Sequence, residues 1–372
     1  MSLQTLTRGR RLLSGATVAA LTAGLLAFAP STAQAADAAA PAVTVSKVTF
    51  APDESATVTV TGSGFDPSAA TGIRPPFLGQ PGGAYVILGY FADDWRPSAG
   101  APSSAREVIT QKWALPAGQF EALVSGGAFE LRADGSFETT IDVSKAQLDE
   151  ARTNSPDLDG NFGIYTYAGS GAKVASYETF TPISFVPAAP VATDVSTTYT
   201  RGGTVNVTVP VPGAVTVAGL GSRTTTVANE KVGFSVPKNT TAGIKRLAVS
   251  FVPADAGLTA PAATTVTVTI AKRAAYKAKL KLNKKPTRKT KGKATVRVKH
   301  VAGGAYATGK VRLKLTKGKK SRFVTVNLVK GKRTVKLPKL TKGRWVVRAA
   351  YLGNVNYTKR GYVKVGAFKV TK

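Results

Sequence analysis

Residues 271–372 contain no Asp or Glu, and hydrophobic residues alternate with cations along much of this stretch. The alternation is clearest at residues 277–282 (KAKLKL) and 311–315 (VRLKL). Because successive side chains of a β-strand point to opposite faces of the sheet, it puts aliphatic residues on one face and cations on the other. We therefore predict a β-sandwich with an apolar interior and a positively charged exterior. The inward-facing residues of the second stretch are predicted to be Val311, Leu313 and Leu315.

The net charge of +31 is concentrated in the same region, because residues 271–372 hold 33 of the 51 Lys and Arg. Residues 36–190 instead hold 9 cations and 17 acids, and residues 191–270 hold 6 cations and 3 acids. A charge asymmetry of this size indicates an interaction with a polyanion and says nothing about the fold. The alternative is a solvated face that serves only solubility. It is disfavoured because a domain without acids is destabilised by self-repulsion.

The N-terminus has the three parts of a secretion signal. Three arginines lie within residues 8–11, residues 12–29 are apolar and rich in Ala and Leu, and residues 33–35 (AQA) form a small-residue cleavage site. We predict a signal peptide at residues 1–35 and a secreted protein, either extracellular or non-covalently associated with the cell wall. No second apolar run of about 20 residues follows, so we expect no membrane span in the exported chain.

The chain has no Cys and a single His, His300. A Cys-based metal site, a thiol nucleophile and covalently attached haem are therefore excluded. A lone His at the end of a predicted strand is more typical of ordinary surface structure than of a ligand. We expect no cofactor, no metal and no enzymatic activity. Asp93 or Asp94 with Glu107 would be the carboxylate pair of a glycan-active enzyme, but loop acids near arginines are more typical of surface ion pairs.

Residues 36–190 show about seven short strands separated by Gly and Pro, which is typical of an immunoglobulin-like sandwich. Two irregular sections, residues 66–83 and 92–116, interrupt the strands, and residues 144–154 fit either a short helix or a solvated crossing. Sandwich loops commonly carry function, and we also consider a protein partner for this domain. The candidate ligand-loop residues are Asp93, Asp94 and Trp95. The Trp is equally suited to capping the edge of the sandwich.

Five stretches of this domain carry a resemblance to a known family. They are TVTGSGF (59–65), AYVILG (84–89), DGSFETTIDV (134–143), GIYTYAGSG (163–171) and ETFTPISF (178–185). Together they resemble an extracellular Ig-like module of actinobacteria that is often found beside haem-transport-associated domains and is distantly similar to the neocarzinostatin-type sandwich. The cysteine pair common in that family is missing here, and so is a haem-transport-associated domain. Haem binding is therefore not carried over.

The rest of the chain divides into a unit at residues 191–272 and a strongly basic unit at residues 273–372, and the second unit repeats the order of the first. Corresponding stretches are GKRTVKLP (331–338) with EKVGFSVP (230–237), and TKGRWVV (341–347) with TAGIKRL (241–247). Near the end of the basic unit, YLGNVNY (351–357) is similar to a characteristic turn of bacterial Ig-like repeats in surface and adhesion proteins. The resemblance implies modular adhesive or structural domains and transfers no catalytic residue.

The basic unit is the predicted polyanion-binding region, and its candidate contacts lie at outward strand positions and adjoining turns. The candidates in one predicted hairpin are Lys310, Arg312, Lys314, Lys317, Lys319, Lys320 and Arg322. Those in the first loop of the unit are Lys281, Lys284, Lys285, Arg288 and Lys289. The favoured partner is an anionic cell-wall polymer or an acidic glycan, because Lys predominates and export is predicted.

Nucleic acid is the alternative partner of the basic unit. It would use the same positive charge together with exposed aromatic residues on which bases can stack. The tyrosines available are Tyr306, Tyr351, Tyr357 and Tyr362. We expect at least two of them to belong to the sandwich core or to its turn.

Overall fold

The structure, a computed structural model, describes residues 40–123, 127–275, 278–298 and 307–371. The predicted signal peptide and His300 lie outside these residues. The described chain consists mainly of β-strands, with only two α-helices. The strands form three successive sets of sheets, each around its own hydrophobic core. The predicted all-β fold of tandem immunoglobulin-like sandwiches is therefore confirmed.

The first sandwich contains both helices. Its elements, in chain order, are β1 (Ala42–Val45), β2 (Thr49–Phe50), β3 (Ser55–Ser63), β4 (Ala84–Ala92), β5 (Arg106–Leu115), α1 (Ala117–Leu123), β6 (Ala128–Glu130), β7 (Phe137–Ser144), α2 (Lys145–Asn154), β8 (Gly160–Ala168), β9 (Thr179–Pro182) and β10 (Ser184–Phe185). One sheet has the strand order β1-β3-β7, and the larger sheet has the order β6-β5-β4-β8-β9. Strands β10 and β2 form a short parallel pair.

The five-stranded sheet of this domain buries side chains on both of its faces. Val86 and Leu88 of β4 lie in the core between the sheets. Ile87 and Phe91 of the same strand point the other way and form a second buried cluster with Trp95. The irregular segments that follow β3 and β4 cover this second face. They allow a strand of nearly continuous apolar residues to be buried on both sides.

The sequence analysis assigned residues 92–116 to a loop-rich section, and this was wrong for strand β5. In the structure, Arg106–Leu115 pairs antiparallel with β4, with one register shift along the ladder. Val108 is 40% exposed, whereas the next residue, Ile109, packs against the core. A bulge of this kind breaks the period-two pattern. The strand therefore does not show the alternation by which strands are recognised in a sequence.

The stretch at residues 144–154 is a helix rather than a solvated crossing. Ser144 is its N-cap, and the Ser144 backbone N–H donates to Gln147 Oε1 at 2.8 Å. The Gln147 backbone N–H donates in return to Ser144 Oγ at 3.4 Å, which completes a capping box. Leu148 and Ala151 form the buried face of the helix. The reciprocal cap and this short apolar stripe together explain why the segment is helical.

The second sandwich follows directly. Its strands are β11 (Val191–Ala192), β12 (Val195–Thr198), β13 (Gly203–Thr208), β14 (Gly213–Val217), β15 (Gly221–Thr225), β16 (Lys231–Val236), β17 (Gly243–Pro253) and β18 (Thr264–Ala271). One sheet has the order β11-β13-β16, and the other has the order β12-β18-β17-β14-β15. Its core is built largely from valines that alternate with exposed residues along each strand.

The third sandwich is the basic unit. Its strands are β19 (Lys279–Lys284), β20 (Gly292–Arg297), β21 (Gly309–Lys317), β22 (Lys320–Leu328), β23 (Lys332–Leu337), β24 (Gly343–Tyr351) and β25 (Arg360–Val370). A three-stranded sheet, β19-β20-β23, packs against a four-stranded sheet, β22-β21-β24-β25. Val311, Leu313 and Leu315 are fully buried between them, as the alternation predicts.

The second and third sandwiches share one strand topology. The order β11-β13-β16 corresponds to β19-β20-β23, and β15-β14-β17-β18 corresponds to β22-β21-β24-β25. Strands β17 and β24 begin at equivalent glycines, Gly243 and Gly343, whose φ angles of 136° and 125° favour Gly. The shared topology agrees with the internal repeat seen in the sequence.

Equivalent turns of these two sandwiches contact the sandwich that precedes each of them. In the turn after β17, an Asp255 carboxylate oxygen lies 2.6 Å from Lys145 Nζ, and the other lies 3.7 Å from Arg152 of the first sandwich. In the turn after β24, Asn356 Oδ1 accepts from the backbone N–H of Ala242 in the second sandwich at 2.9 Å. Both boundaries between sandwiches are thus bridged by side chains as well as by the linker.

Candidate polyanion-binding surface

The predicted basic hairpin is present as β21 and β22, which pair in antiparallel register from Gly309↔Leu328 to Lys317↔Lys320. Lys310, Arg312 and Lys314 alternate with the buried aliphatic residues of β21 and therefore point away from the core. They lie on the outer face of the four-stranded sheet. These three candidate residues therefore face outward, as predicted.

Phe323 lies on the same outer face, directly opposite Lys314, and is 47% exposed. The Arg312 guanidinium lies 4.5 Å from the centre of its ring and Lys314 Nζ lies 5.7 Å from it. Both distances are within the range of cation–π attraction. Sequence reasoning missed this residue. The alternation of Val324 and its inward neighbours would have placed it on the outer face.

A row of side chains crosses all four strands of this sheet. Phe323 is opposite Lys314, Lys314 is opposite Arg348, and Arg348 is opposite Lys364. At the usual strand spacing this row spans about 14 Å. Tyr362, two residues before Lys364 on β25, is 42% exposed. We call this outer surface the Phe323 face, and its members are Lys310, Arg312, Lys314, Phe323, Arg344, Arg348, Tyr362, Lys364 and Lys369.

Four hairpin candidates do not lie on the Phe323 face. Lys319 is in the turn and Lys317 and Lys320 flank it, as predicted, whereas Arg322 corrects the prediction that the strand candidates occupy outward positions. The register places Arg322 opposite the buried Leu315, and Lys320 opposite Lys317, on the core-facing side of the sheet. Arg322 and Lys320 are nevertheless exposed. Lys317 Nζ donates to the backbone carbonyl of Lys342. These cations form the end of the hairpin, together with Lys319 in its turn.

The outer face of the three-stranded sheet is also cationic. Lys284 is opposite Lys293, and Lys293 is opposite Lys336, so three lysines form a row across β19, β20 and β23. A second row contains Lys279, Arg297 and Lys332. All of these side chains are exposed. We call this surface the Lys293 face, and its members are Lys279, Lys281, Lys284, Lys293, Arg297, Lys332 and Lys336.

The five candidates of the predicted first loop are exposed, but they divide between a strand and a loop. Lys281 and Lys284 belong to β19, whereas Lys285, Arg288 and Lys289 lie in the connection to β20. In that connection the Thr287 hydroxyl accepts from the backbone N–H groups of Lys289 and Thr290, at 3.1 and 2.9 Å. This hydroxyl-centred turn holds the loop cations at the edge of the Lys293 face.

No acid within residues 273–372 can neutralise these cations, because that part of the sequence has none. Of the four tyrosines considered for stacking, Tyr351 and Tyr357 are 1% and 3% exposed and belong to the core. Burial, with a smaller contribution from Tyr357, raises the pKa of the Tyr351 hydroxyl to about 12. Tyr362 is exposed, and Tyr306 lies outside the described residues.

The ligand-loop candidates of the first domain differ in accessibility. Trp95 is 3% exposed and packs on Phe91 and Tyr165, with ring centres 5.7 and 5.0 Å away. This placement fits the edge-capping role rather than a ligand contact. Asp94 is exposed. Asp93 is also exposed, and its carboxylate accepts a hydrogen bond from the Asn161 side chain at 2.7 Å. Asn161 lies on β8, opposite Phe91 of β4.

No family model and no curated protein matches this chain. Solved structures that resemble it include a two-domain fibronectin type-III segment of chicken tenascin, with a TM-score of 0.28 and 14% identity over 49% of this chain and 97% of that chain. Domains of titin match with a TM-score of 0.24 and 10% identity over 89% and 99%. Fibronectin(III)-like modules of Clostridium thermocellum CbhA match with a TM-score of 0.20 and 12% identity over 49% and 94%. Because these values are low, the fold class is taken from the strand topology of the chain itself.

Neither helix in the described chain has the length and apolar character needed to cross a membrane. The same residues contain no cluster of three or more His, Cys, Asp or Glu side chains that could hold a metal ion.

Proposed function

We propose that this protein is an exported, non-enzymatic binding protein whose basic C-terminal sandwich holds it to an anionic polymer of the cell envelope. The observation that carries the proposal is the pair of cationic outer faces in a domain without acids. A cation with no carboxylate partner keeps its charge available to an external anion. Many such cations acting together release the counter-ions of a polyanion on binding.

The predicted signal peptide supports an envelope location. So do the two resemblances, to an extracellular Ig-like module of actinobacteria and to the Ig-like repeats of bacterial surface proteins. These point to a Gram-positive cell wall, whose polymers carry repeated phosphate or carboxylate groups. In this setting the first two sandwiches serve as structural or adhesive modules, and the third is the wall-binding module.

The composition of the two faces favours a wall polymer over a base-reading partner. Lys outnumbers Arg six to one on the Lys293 face and four to three on the Phe323 face. The lysine ammonium is a compact point charge that pairs with regularly spaced anionic groups without demanding a planar partner. A second candidate, single-stranded nucleic acid, is favoured by one observation, the exposure of Phe323 and Tyr362 beside the cations. Exposed aromatic residues in a cationic groove are the usual platform for stacked bases.

The test is co-sedimentation of the chain from residue 36 onwards with purified Gram-positive cell walls. Two wall preparations are compared, one intact and one from which phosphate polymers have been extracted, from about 50 to about 500 mM NaCl. We expect binding to the intact walls that falls steeply with salt, and weak binding to the extracted walls. A competition with single-stranded DNA at equal salt is run in parallel.

Three results would contradict the proposal. Binding that survives both high salt and polymer extraction would mean that the protein recognises the shape of a neutral glycan. Much tighter binding to single-stranded DNA than to wall polymer would favour the nucleic-acid candidate. Release of sugars from either wall preparation would contradict the non-enzymatic part of the proposal.

A further inference from the structure

The first sandwich has a pocket on the outer face of its five-stranded sheet, with a volume of ≈ 490 Å³. The floor is formed by β4 and β8, and the walls come from the irregular segments after β3 and β4 and from the turn after β8. A pocket of this size falls in the range of small-molecule binding sites. It lies in a different domain from the cationic faces described above.

Three cations line this pocket: Arg74, Arg106 and Lys173. Arg106 is fixed in place because its Nη1 donates to the backbone carbonyl of Trp95 at 2.7 Å, and its guanidinium lies 5.7 Å from the centre of the Tyr167 ring. Arg74 and Lys173 are exposed. None of the three makes an ion pair within the described part of the chain.

This cluster of cations runs against the charge of its domain. Residues 36–190 hold 17 acids and 9 cations, yet three of those cations and none of those acids line the pocket. The Glu178 carboxylate approaches the neighbouring segment but accepts hydrogen bonds there from the Ser98 N–H and hydroxyl, both at 2.6 Å. The separation of charge gives the pocket a positive potential in an otherwise acidic domain.

The floor of the pocket is aromatic. Tyr85 and Tyr167 are opposite each other on β4 and β8, with ring centres 5.5 Å apart in an edge-on arrangement. The Tyr85 hydroxyl accepts from the backbone N–H of Ser170 at 3.3 Å, which leaves its own proton free to donate. Burial raises the pKa of the Tyr167 hydroxyl, although Arg106 acts in the opposite direction. The Tyr167 hydroxyl therefore keeps its proton at neutral pH and can donate a hydrogen bond.

Ser170 holds one wall of the pocket in a strained conformation. It has a φ of 51° and is 3% exposed. Its hydroxyl donates to the Arg74 carbonyl at 2.6 Å, and its own carbonyl accepts from the N–H groups of Ile73 and Arg74 at 2.9 and 3.1 Å. Left-handed backbone at a residue other than Gly persists only where several contacts enforce it, and such residues cluster at ligand sites. These bonds fix the backbone of Arg74 at the rim.

We propose that this pocket binds a single acidic sugar ring, a pyranose that carries a carboxylate or a phosphate. The three cations supply the attraction for the anionic group, and arginines can form paired charge-assisted bonds to it. The two tyrosine rings are edge-on to each other, so one of them can present its apolar face to the C–H groups of the sugar, and the hydroxyls donate to the ring substituents. An aromatic acid has no ring substituents that accept hydrogen bonds from the two tyrosine hydroxyls, so it would leave those donors without partners.

The test uses the chain from residue 36 onwards and four monomeric probes: glucuronate, glucose 6-phosphate, neutral glucose and benzoate. Binding is measured by titration calorimetry and by ligand-observed NMR. The pocket variant is Arg74→Ala/Lys173→Ala, whose two side chains are exposed and therefore dispensable for folding. The control with the same charge change in the same domain is Lys112→Ala/Arg132→Ala. A second control, Arg312→Gln/Lys314→Gln, changes the Phe323 face.

We expect the two acidic sugars to bind and glucose and benzoate to bind about tenfold or more weakly. The pocket variant should weaken the acidic sugars by about tenfold, because it removes two charge-assisted contacts. Both controls should stay within about twofold of the unchanged chain. Equal binding of glucose, loss of binding in the Phe323-face control alone, or no binding of either acidic sugar would each overturn the proposal. Of these results, only loss of binding in the Phe323-face control also bears on the third sandwich, because it would place the acidic-sugar site there.

Discussion

Two rows of cations lie on opposite faces of the third sandwich. Replacing one row or the other tests whether polyanion binding depends on the total net charge or on one particular face. One row is Lys314, Arg348 and Lys364 on the Phe323 face, and the other is Lys284, Lys293 and Lys336 on the Lys293 face. Each row crosses three neighbouring strands. Replacing either row by Gln removes three charges, so the two triple variants have the same net charge.

The expected effect follows from counter-ion release. For a single-stranded polyanion, the logarithm of the binding constant falls with the logarithm of salt by about 0.7 per neutralised charge. Loss of three contacts should therefore reduce the slope by about 2. Over a fourfold change in salt this corresponds to a change of about 20-fold in relative affinity. We expect the full effect in the Phe323-face variant and a smaller effect in the Lys293-face variant, because only the former surface carries exposed aromatic side chains beside its cations.

The assay is binding of both variants and the unchanged chain to a soluble, end-labelled wall polymer, followed by anisotropy across a salt series. Thermal unfolding of each variant checks that the sandwich is intact. Equal slopes for the two variants would refute the reasoning that the aromatic residues select one face, and would leave net charge as the determinant. If neither variant changed the slope of the binding constant against salt, electrostatic binding by the sheet faces would be refuted.

Three further predictions concern stability. Leu313→Ala, at a fully buried position, should lower the free energy of unfolding by about 2–5 kcal/mol, measured by denaturant titration. Exposed Phe323→Ala should cost less than half as much. Desolvation raises the pKa of the Asp255 carboxyl, but hydrogen bonds, chiefly from Lys145, outweigh it and lower the pKa overall. The stabilising contribution of Asp255 should be present above about pH 4 and lost as the pH falls through the lowered value. Because this side chain is 41% exposed, the difference from Asp255→Asn should stay below about 1 kcal/mol and vanish in acid. Lys330 has a φ of 46°, so Lys330→Gly should raise stability by about 1 kcal/mol in thermal unfolding.

The parts of the fold that the sequence predicts are those in which each strand has one buried and one solvated face. Strand β21, with Leu313 buried and Arg312 exposed, is such a case. Strand β5 was missed because its bulge exposes Val108 and buries the neighbouring Ile109. The burial of Ile87 and Phe91 on the second face of the large sheet could not be predicted either. Its burial depends on irregular segments whose path no local pattern specifies.

The candidate site also combines features that strand alternation predicts with features that only the tertiary structure reveals. Outward cations on β21 follow from alternation, but the sidedness of Arg322 depends on the register of the hairpin, which places it opposite Leu315. The pocket of the first domain was not predicted at all. Its cations, Arg74, Arg106 and Lys173, are far apart in the sequence and converge only because β4, β5 and β8 are neighbours in one sheet. Pattern reading finds faces of single strands, whereas a pocket needs the order of the strands.

The rows of like charge also link stability to binding. Like charges directly opposite each other on neighbouring strands destabilise a sheet by roughly 0.2–1 kcal/mol per pair, and each row contains two such pairs. Added salt weakens this repulsion, with a screening length of about 8 Å at physiological ionic strength, so it should stabilise the third sandwich. The same salt should weaken its attachment to a polyanion. A bound polymer should stabilise the folded domain because it binds the native state and neutralises the repulsion. Opposite responses of stability and affinity to salt are therefore expected of a surface that keeps repelling charges for an external anion, whereas charges that serve only solubility need not occupy adjacent strand positions.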